Sequence, residues 1–513
     1  MVKLKEIYFG DVEGKDEFLE VKDNFTGMFY KDSEIFKKLY DPKVFLIIGR
    51  KGTGKTLLAE YYKHITQSET NKVNIFDESD FSLMKLRNFE YGLVSDQESR
   101  IFWEYFFLTT IAEQIVKDTK IKRIGFMVKR RKLRSILDKS DFKVSGKTVK
   151  ESNSMGFNIT GGIKNISSKI SGNLSEEVSK QFQEKKYYER IDSLRKLVMF
   201  FISNGKVNYQ LFFDDIDELE VFNDDSSQKI KFIHSMIKAA KRMNNDFRTV
   251  DSNSKIFVLM RVDMIKELNQ RTHNFNKVRQ TNSVTLDWQY NSSTDLMDQP
   301  LTRMIIKKIK NNSPDYRLRS DFEIFNLIWP QKIANKNAIK YIIDHSFGRP
   351  RDFVMFLNVV KVKYPEKESI TGRMMKQSLN EYSSIFFDEL TNEINRNENR
   401  DLIMDTITLI KDTGKNTFHL DELMDTYELT PERYHYITGE SDLKLAIESL
   451  YQYSVIGASK KVKTGKSSYR LVEFFYRTNA IDTPNLLGGF SIHFALRPAL
   501  NIGDSNIQKE TVA

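Results

Sequence analysis

The chain contains two kinds of segment, which differ in length and in the spacing of their hydrophobic positions. Apolar runs of five to seven residues are too short for helices and are typical of buried strands. We assign strands to 44–48, 209–213 and 255–261, where apolar residues predominate, and to 72–76 and 284–288, where polar residues interrupt the apolar ones. The longer segments between them have helical periodicity, so the pattern predicts a doubly wound α/β fold with a parallel sheet. Ligand-binding groups should then gather at the carboxyl ends of the strands.

The first strand leads directly into residues 49–56, which read G-R-K-G-T-G-K-T and precede a helical pattern. Strand, glycine loop and helix form the context that a phosphate-binding loop requires. Gly52 and Gly54 let successive backbone N–H groups point at phosphate, and the helix adds the positive end of its dipole. Lys55 is expected to reach the β- and γ-phosphates, and the Thr56 hydroxyl to bind Mg²⁺. The predicted ligands are therefore ATP and Mg²⁺. The predicted nucleotide-binding residues of the loop are Gly49, Gly52, Thr53, Gly54, Lys55, Thr56 and Leu57.

The strand at 209–213 ends in the acidic sequence D-D-I-D. A carboxylate at a strand tip opposite the phosphates can hold Mg²⁺ through water, and we assign this role to Asp214. Asp215 is then placed to orient the attacking water. Arg261 ends a later strand, is expected level with Asp214, and is a candidate to sense the γ-phosphate. Asp263 either orients Arg261 or caps a helix that begins at the next residue.

Composition narrows the class of protein. The 513 residues, of which 40% are hydrophobic and 29% charged, allow about two to four globular domains. No apolar run reaches the length of a membrane helix, and the first residues contain no signal-peptide core. The chain has no cysteine, which excludes disulfides, thiolate zinc sites and cysteine nucleophiles. These features predict a cytoplasmic protein without a membrane partner.

The net charge of +10 is concentrated in residues 117–150, which contain thirteen basic and three acidic residues. Such a concentration is typical of nucleic-acid binders, although a solvated helix face can have the same composition. Residues 151–176, rich in Ser, Asn and Gly, predict a hairpin or a mobile loop. We interpret 117–176 as a basic, flexible insertion in an ATPase core that spans residues 1–290.

Residues 291–399 show helical patterns and are predicted to form a helical lid. Within it, Gly348 can end one helix and Pro350 can begin the next. Arg349 and Arg351 stand at this helix start, where their charge opposes the helix dipole. They therefore indicate an anionic partner, unless they only pair with neighbouring carboxylates.

Residues 400–478 predict three helices and then two strands around a basic turn at 463–466, which is the element order of a winged-helix domain. Such a domain binds DNA in some proteins and docks other proteins elsewhere. The candidate recognition helix at 442–451 is too acidic to favour reading of the major groove. Residues 479–513 are predicted to form a C-terminal tail with a packed-back segment at 492–500.

Taken in order, these segments resemble the AAA+/STAND side of the P-loop ATPases. They are similar especially to a bacterial family allied to the KAP ATPases and often found near phage-defence or DNA-repair genes. The resemblance spans about residues 1–475. The similar segments are GRKGTGKT, LFFDDID, the strand ending at Arg261, the stretch 276–288 and the GRPRD sequence at 348–352.

The resemblance implies roles for individual residues. Lys55, Thr56 and Asp214 would hold nucleotide and Mg²⁺. Arg261 would be the sensor 1 arginine, and either Arg349 or Arg351 the sensor 2 arginine of the lid. No glutamate follows Asp214, so Asp215 must orient the water, or turnover is slow.

Three functions are compatible with the sequence. The first is an ATP-hydrolysing motor or switch that oligomerises and acts on nucleic acid or in anti-phage defence. The second is a nucleotide-switched scaffold that assembles and delivers a separate effector protein, favoured because the chain carries no nuclease or protease signature. A sequence-specific regulator with an ATPase appendage ranks last, because its candidate recognition helix is not basic.

Overall fold

The computed structural model describes residues 2–77, 96–118, 124–138, 174–216, 226–272, 275–288, 294–333, 335–395, 397–464, 467–477, 483–503 and 510–512. The chain divides into two compact units. The sheet unit contains residues 31–51 and 55–286, and the C-terminal unit contains residues 1–30, 52–54 and 287–513.

The described helices and strands are numbered in chain order. The helices are α1 Gly14–Glu20, α2 Phe25–Met28, α3 Ser33–Tyr40, α4 Lys55–Thr66, α5 Asp96–Lys117, α6 Ile124–Asp138, α7 Leu174–Gly205, α8 Ser226–Thr249, α9 Val262–Arg271, α10 Phe275–Asn282, α11 Pro300–Asn312, α12 Asp321–Ile328, α13 Ala338–Asp344, α14 Pro350–Lys363, α15 Gly372–Ile394, α16 Arg400–Thr413, α17 Leu420–Leu429 and α18 Glu440–Gln452. The strands are β1 Leu46–Gly49, β2 Asn71–Phe76, β3 Asn208–Phe213, β4 Lys255–Arg261, β5 Ser283–Leu286, β6 Lys332–Ile333, β7 Lys336–Asn337, β8 Thr417–Phe418, β9 Ile456–Thr464, β10 Ser467–Glu473, β11 Gly489–Ile492 and β12 Glu510–Val512.

A five-stranded parallel sheet forms the centre of the sheet unit, in the order β2-β3-β4-β1-β5. All residues of β1 and β4 are buried, which explains their unbroken apolar sequences, because strands covered on both faces need no polar alternation. The predicted α/β class with a parallel sheet is therefore confirmed. The fifth strand ends at Leu286, two residues before the predicted end.

Helix α5 contributes several aromatic side chains to the core of the sheet unit, namely Phe102, Trp103, Tyr105, Phe106 and Phe107. Phe107 packs on Phe213 of β3 with ring centroids 5.1 Å apart, and the Trp103 indole donates a hydrogen bond to the Phe232 carbonyl at 3.2 Å. The same helix carries Glu104, which is buried and paired with Arg195 of α7 and Arg242 of α8. Aromatic packing and one shared carboxylate therefore hold α5, α7 and α8 together.

Lys255 opens β4 and is buried at the end of α3. Its ammonium donates to the carbonyls of Leu39 at 2.8 Å and Asp41 at 2.6 Å. Burial lowers the pKa of Lys255 to about 7, although the nearby Asp41 carboxylate opposes this shift. The lysine thus satisfies carbonyl groups that a helix end leaves without intrahelical donors.

The C-terminal unit is organised around α11–α15. Tyr382 of α15 stacks on Phe356 of α14 at 4.3 Å and donates to the His345 carbonyl at 2.7 Å. The N-terminal residues Leu4 and Phe9 belong to the same hydrophobic cluster. Residues 1–30 therefore group with this unit, and not with the core at 1–290 proposed from the sequence.

Three helices, α16 to α18, and then the antiparallel β9–β10 hairpin follow one another as predicted for residues 400–478. The winged-helix assignment itself stays a prediction. The segment after the hairpin differs from the predicted tail, because β11 lies between β9 and β8 within the sheet. Four residues with glycine and serine in alternate positions gave β11 too weak a pattern to be recognised.

Parts of the predicted insertion lie outside the described residues, namely 119–123 and 139–173. Within 117–176, the structure describes residues 117–118, α6 and the start of α7. Across the described parts of the chain, no helix is long and apolar enough to span a membrane.

Candidate functional site

The glycine loop at 49–56 has the backbone that its sequence predicts. Gly52 and Gly54 have φ angles of +77° and +86°, in the left-handed region that side chains disfavour. A Cβ added at Gly52 would also lie 2.9 Å from the Cβ of Arg351. Glycine at 52 is thus required both by the turn and by the close approach of α14.

Lys55 is the first residue of α4 and is 8% exposed. Its ammonium makes two long hydrogen bonds to carbonyls of its own loop, at 3.3 Å to Gly49 and 3.4 Å to Arg50. Within the described residues, no carboxylate forms an ion pair with this ammonium. A buried cation with only weak neutral partners, at the positive end of a helix, favours an anionic ligand.

Thr56 and Asp214 meet at the end of β3. The Thr56 hydroxyl donates to the Asp214 carboxylate at 2.5 Å, and Asp214 is 1% exposed. Hydroxyl and carboxylate oxygens are ligands that Mg²⁺ prefers. In the described parts of the chain, no group of three or more His, Asp or Glu side chains could hold a metal ion. The Thr56 hydroxyl and the Asp214 carboxylate fit a Mg²⁺ ion that is also bound by phosphate oxygens.

Asp215 follows at the strand end with φ +52°, unusual for a residue other than glycine. Its N–H donates to the Asp214 carboxylate at 3.1 Å. Strained backbone of this kind is concentrated at functional sites. The geometry is compatible with the predicted role of Asp215.

Arg261 ends β4, where it pairs in register with Gly49 at the start of the loop. Its guanidinium is held by Asp263, with Nη2 to Oδ2 at 2.8 Å and Nε to Oδ1 at 3.2 Å. Because α9 begins at Val262, Asp263 lies inside the helix and orients Arg261; it is not a helix cap.

One prediction about Arg261 needs correction. Phe213 pairs with Val258, so the residue level with Asp214 is Leu259. Arg261 therefore extends two residues farther along β4, roughly 7 Å at the rise of a strand. The sequence could not reveal this offset, since register depends on pairing between strands.

Arg349 is buried in a network of carboxylates. Its Nε and Nη2 donate to Asp352 at 2.7–3.0 Å, and Nη1 donates to Glu393 at 3.2 Å. Burial disfavours its charge, but Asp352 and Glu393 outweigh that cost and raise the pKa of Arg349. With its side chain 3% exposed and its donors engaged, Arg349 is placed as a structural residue, and the predicted nucleotide contact does not fit this geometry.

Arg351 lies directly against the glycine loop. Its backbone N–H donates to the Gly52 carbonyl at 3.3 Å. Its guanidinium contacts the Glu13 carboxylate at 2.9 Å and the Val12 carbonyl at 3.2 Å. Of the two arginines of the GRPRD sequence, Arg351 is the one that the structure brings to the loop.

Trp288 also contacts the loop, and sequence reasoning missed this. Its indole nitrogen donates to the Thr53 carbonyl at 3.0 Å, and its ring lies 5.7 Å from that of Tyr30. The sequence pattern places Trp288 at the end of the fifth predicted strand. No local feature of the sequence indicates this contact.

Of the other predicted loop residues, Gly49 ends β1, Thr53 is buried in the turn, and Leu57 is in the first turn of α4. The fold is that of an α/β protein with a five-stranded parallel sheet, and the glycine-rich connection between β1 and α4 is compatible with a P-loop-like core. Residues 299–391 match a family model described as a FunZ-associated C-terminal helical domain. The match covers α11 to α14 and most of α15, including Arg349 and Arg351. No curated protein matches the sequence.

Proposed function

We propose that this protein binds ATP with Mg²⁺ through residues 49–56 and hydrolyses it. The observation that carries the proposal is the hydrogen bond from the Thr56 hydroxyl to the buried Asp214 carboxylate. The residue before Thr56 is Lys55, whose side chain is also buried. The left-handed turns at Gly52 and Gly54 support the proposal, because such turns direct N–H groups toward an anion.

Each residue has a proposed role in hydrolysis. Lys55 binds phosphate oxygens, and Thr56 with Asp214 holds Mg²⁺. When bound, Mg²⁺ offsets the negative charge of the β- and γ-phosphate oxygens. Asp215 orients the attacking water. Arg261 stabilises the charge that develops on the transferred phosphoryl group. We assign to Arg351 the role of the sensor 2 arginine that the resemblance implies.

Calorimetry and phosphate release test this function directly on the full chain. We expect one ATP to bind per chain in the presence of Mg²⁺, and phosphate release to stop when EDTA removes the metal. Titration with GTP gives the base preference. Absence of heat on titration with Mg·ATP up to millimolar concentration would contradict the proposal.

The predictions about the biological role of the protein rest on its resemblance to the AAA+/STAND ATPases, and we keep them as proposals. They are assembly into a homo-oligomer, a cytoplasmic role in anti-phage defence, and the alternative role as a nucleotide-switched scaffold that delivers a separate effector protein. Nucleotide-dependent assembly, measured by light scattering, favours the scaffold if assembly needs ATP binding but no hydrolysis.

A nucleic-acid partner is supported by α6, the described part of the basic block. Helix α6 carries five basic residues between positions 129 and 134, and two of them contact other parts of the sheet unit. The Lys129 ammonium lies 3.7 Å from the centre of the Phe200 ring, and the Arg130 guanidinium donates to the Asp118 carbonyl at 2.5 Å. The exposed cations of the helix are Arg131, Lys132 and Arg134. No ion pair joins these three to any carboxylate in the described residues.

The apolar side of α6 is already packed through Phe126 and Leu133, which disfavours a membrane surface, because an interfacial helix needs that side free.

Replacing Arg131, Lys132 and Arg134 with glutamine together should weaken DNA or RNA binding uniformly across sequences. Three lost phosphate contacts should reduce the slope of log K against log salt by roughly 2–3. Fluorescence anisotropy at several salt concentrations measures this slope. Glutamine at the exposed positions Lys367, Arg373 and Lys376 is the matched control with the same change in charge. Equal slopes for both triple variants would exclude α6 as the binding surface.

A further inference from the structure

Two donors of the C-terminal unit fix the carbonyl groups of the glycine turn. The Arg351 backbone N–H donates to the Gly52 carbonyl at 3.3 Å, and the Trp288 indole donates to the Thr53 carbonyl at 3.0 Å. All four residues belong to this unit.

A planar trans peptide points its C=O and its N–H in opposite directions. The Gly52 carbonyl shares a peptide plane with the Thr53 N–H, and the Thr53 carbonyl shares one with the Gly54 N–H. Fixing the two carbonyls therefore also fixes the direction of these two N–H donors. They are donors that a phosphate-binding turn must present to its anion.

We infer that Trp288 is a positioning residue for phosphate: by holding the Thr53 carbonyl, it holds the Gly54 N–H in the orientation that binds the anion. The inference rests on the proposed function. Trp288 is suited to this role because it is itself held, being half-buried with its ring tilted against Tyr30 at 5.7 Å. A donor fixed in this way keeps the turn ordered before the ligand arrives, which lowers the entropic cost of binding.

The substitution Trp288→Phe tests the inference, because it keeps an aromatic ring beside Tyr30 and removes the indole donor together with part of the bicyclic ring. One lost hydrogen bond corresponds to roughly five- to tenfold weaker binding of Mg·ATP. Trp329→Phe is the matched control. In the described structure the Trp329 indole nitrogen has no hydrogen-bond partner, and its ring stacks on Phe325 at 5.6 Å. We expect this variant to bind Mg·ATP as the wild type does.

Inorganic tripolyphosphate has the phosphate chain of ATP but no base. Its binding therefore shows whether Trp288 acts on the phosphates, and the thermal midpoint shows whether the substitution loosens the fold. If Trp288 acts through the glycine turn, Trp288→Phe weakens tripolyphosphate and ATP by the same factor, with an unchanged thermal midpoint in the absence of ligand. Weaker ATP binding with unchanged tripolyphosphate binding overturns the inference, and so does equal weakening by Trp329→Phe.

The outcome for the wild type distinguishes the two proposals. If the wild type binds Mg·ATP and Trp288→Phe binds it equally well, the positioning role fails and the proposed function stands. If the wild type binds neither ATP nor tripolyphosphate, both fail.

Discussion

Lys55→Ala is expected to lower kcat/KM for ATP hydrolysis by at least about 100-fold, the loss typical when one donor to a developing negative charge is removed. The reason is local. Lys55 is the buried cation of the glycine loop, its only described partners are two loop carbonyls, and no other described lysine of the loop or of α4 is buried. Phosphate release measures the loss of turnover, and calorimetry with Mg·ATP measures the loss of binding.

The same variant should leave the ligand-free protein at least as stable as the wild type, because it removes a buried charge with weak partners. The protection that ATP gives should disappear. A ligand present at about 100 times its dissociation constant stabilises the folded state by roughly 2.7 kcal/mol, and thermal unfolding with and without ATP reports this difference. Lys63→Ala is the control on the same helix, since the Lys63 side chain is 41% exposed and its ammonium lies 4.0 Å from the Glu60 carboxylate. An active Lys55→Ala protein would remove the central support for the proposed function.

Sequence reasoning recovered the sheet and the loop because both depend on local patterns. An unbroken apolar run is typical of a strand covered on both faces, as in β4, and the glycines at 52 and 54 have the positive φ angles that their spacing indicates. The pair formed by Thr56 and Asp214 was also accessible, since parallel strands bring loop and strand tip to the same edge of the sheet.

The parts that sequence reasoning missed depend on contacts between distant segments. Nothing near Trp288 in the sequence indicates that its indole binds the Thr53 carbonyl 235 positions away. The offset of Arg261 from Asp214 follows from strand register, and the place of β11 in its sheet follows from pairing with β9. Local propensity contains no information on any of these.

The choice between Arg349 and Arg351 shows the same limit, because both stand in one short motif and only tertiary contacts separate them. Arg349 neutralises Asp352, which is fully buried and also accepts the Phe347 N–H at 2.8 Å. Arg351 has only the exposed Glu13 and the more distant Glu389, at 3.9 Å, as its described carboxylate partners. Substitution of these two arginines, which are separated only by Pro350, should therefore affect different properties, namely stability for Arg349 and ATP turnover for Arg351.

Arg349→Ala should destabilise the C-terminal unit by about 3–5 kcal/mol, because it leaves the Asp352 carboxylate buried without its cation. For a unit of this size we expect a fall in the thermal midpoint of roughly 10 °C. Arg351→Ala should change the midpoint little, because its partner Glu13 is 66% exposed and an ion pair open to solvent on one side contributes about 1 kcal/mol or less. The variant should instead lower ATP turnover. Differential scanning fluorimetry and phosphate release on both variants measure the two effects.

The double variant Arg349→Ala/Asp352→Asn identifies the cause of the destabilisation. A neutral asparagine still accepts the Phe347 N–H but carries no charge, so the double variant should recover more than half of the lost stability. If the two substitutions instead destabilise additively, the buried carboxylate is not the source of the cost. If Arg349→Ala leaves the midpoint unchanged and abolishes ATP turnover, Arg349 acts on nucleotide. The structural role that its buried contacts assign to it would then be wrong, because a guanidinium bound to Asp352 and Glu393 reaches phosphate only by breaking those contacts.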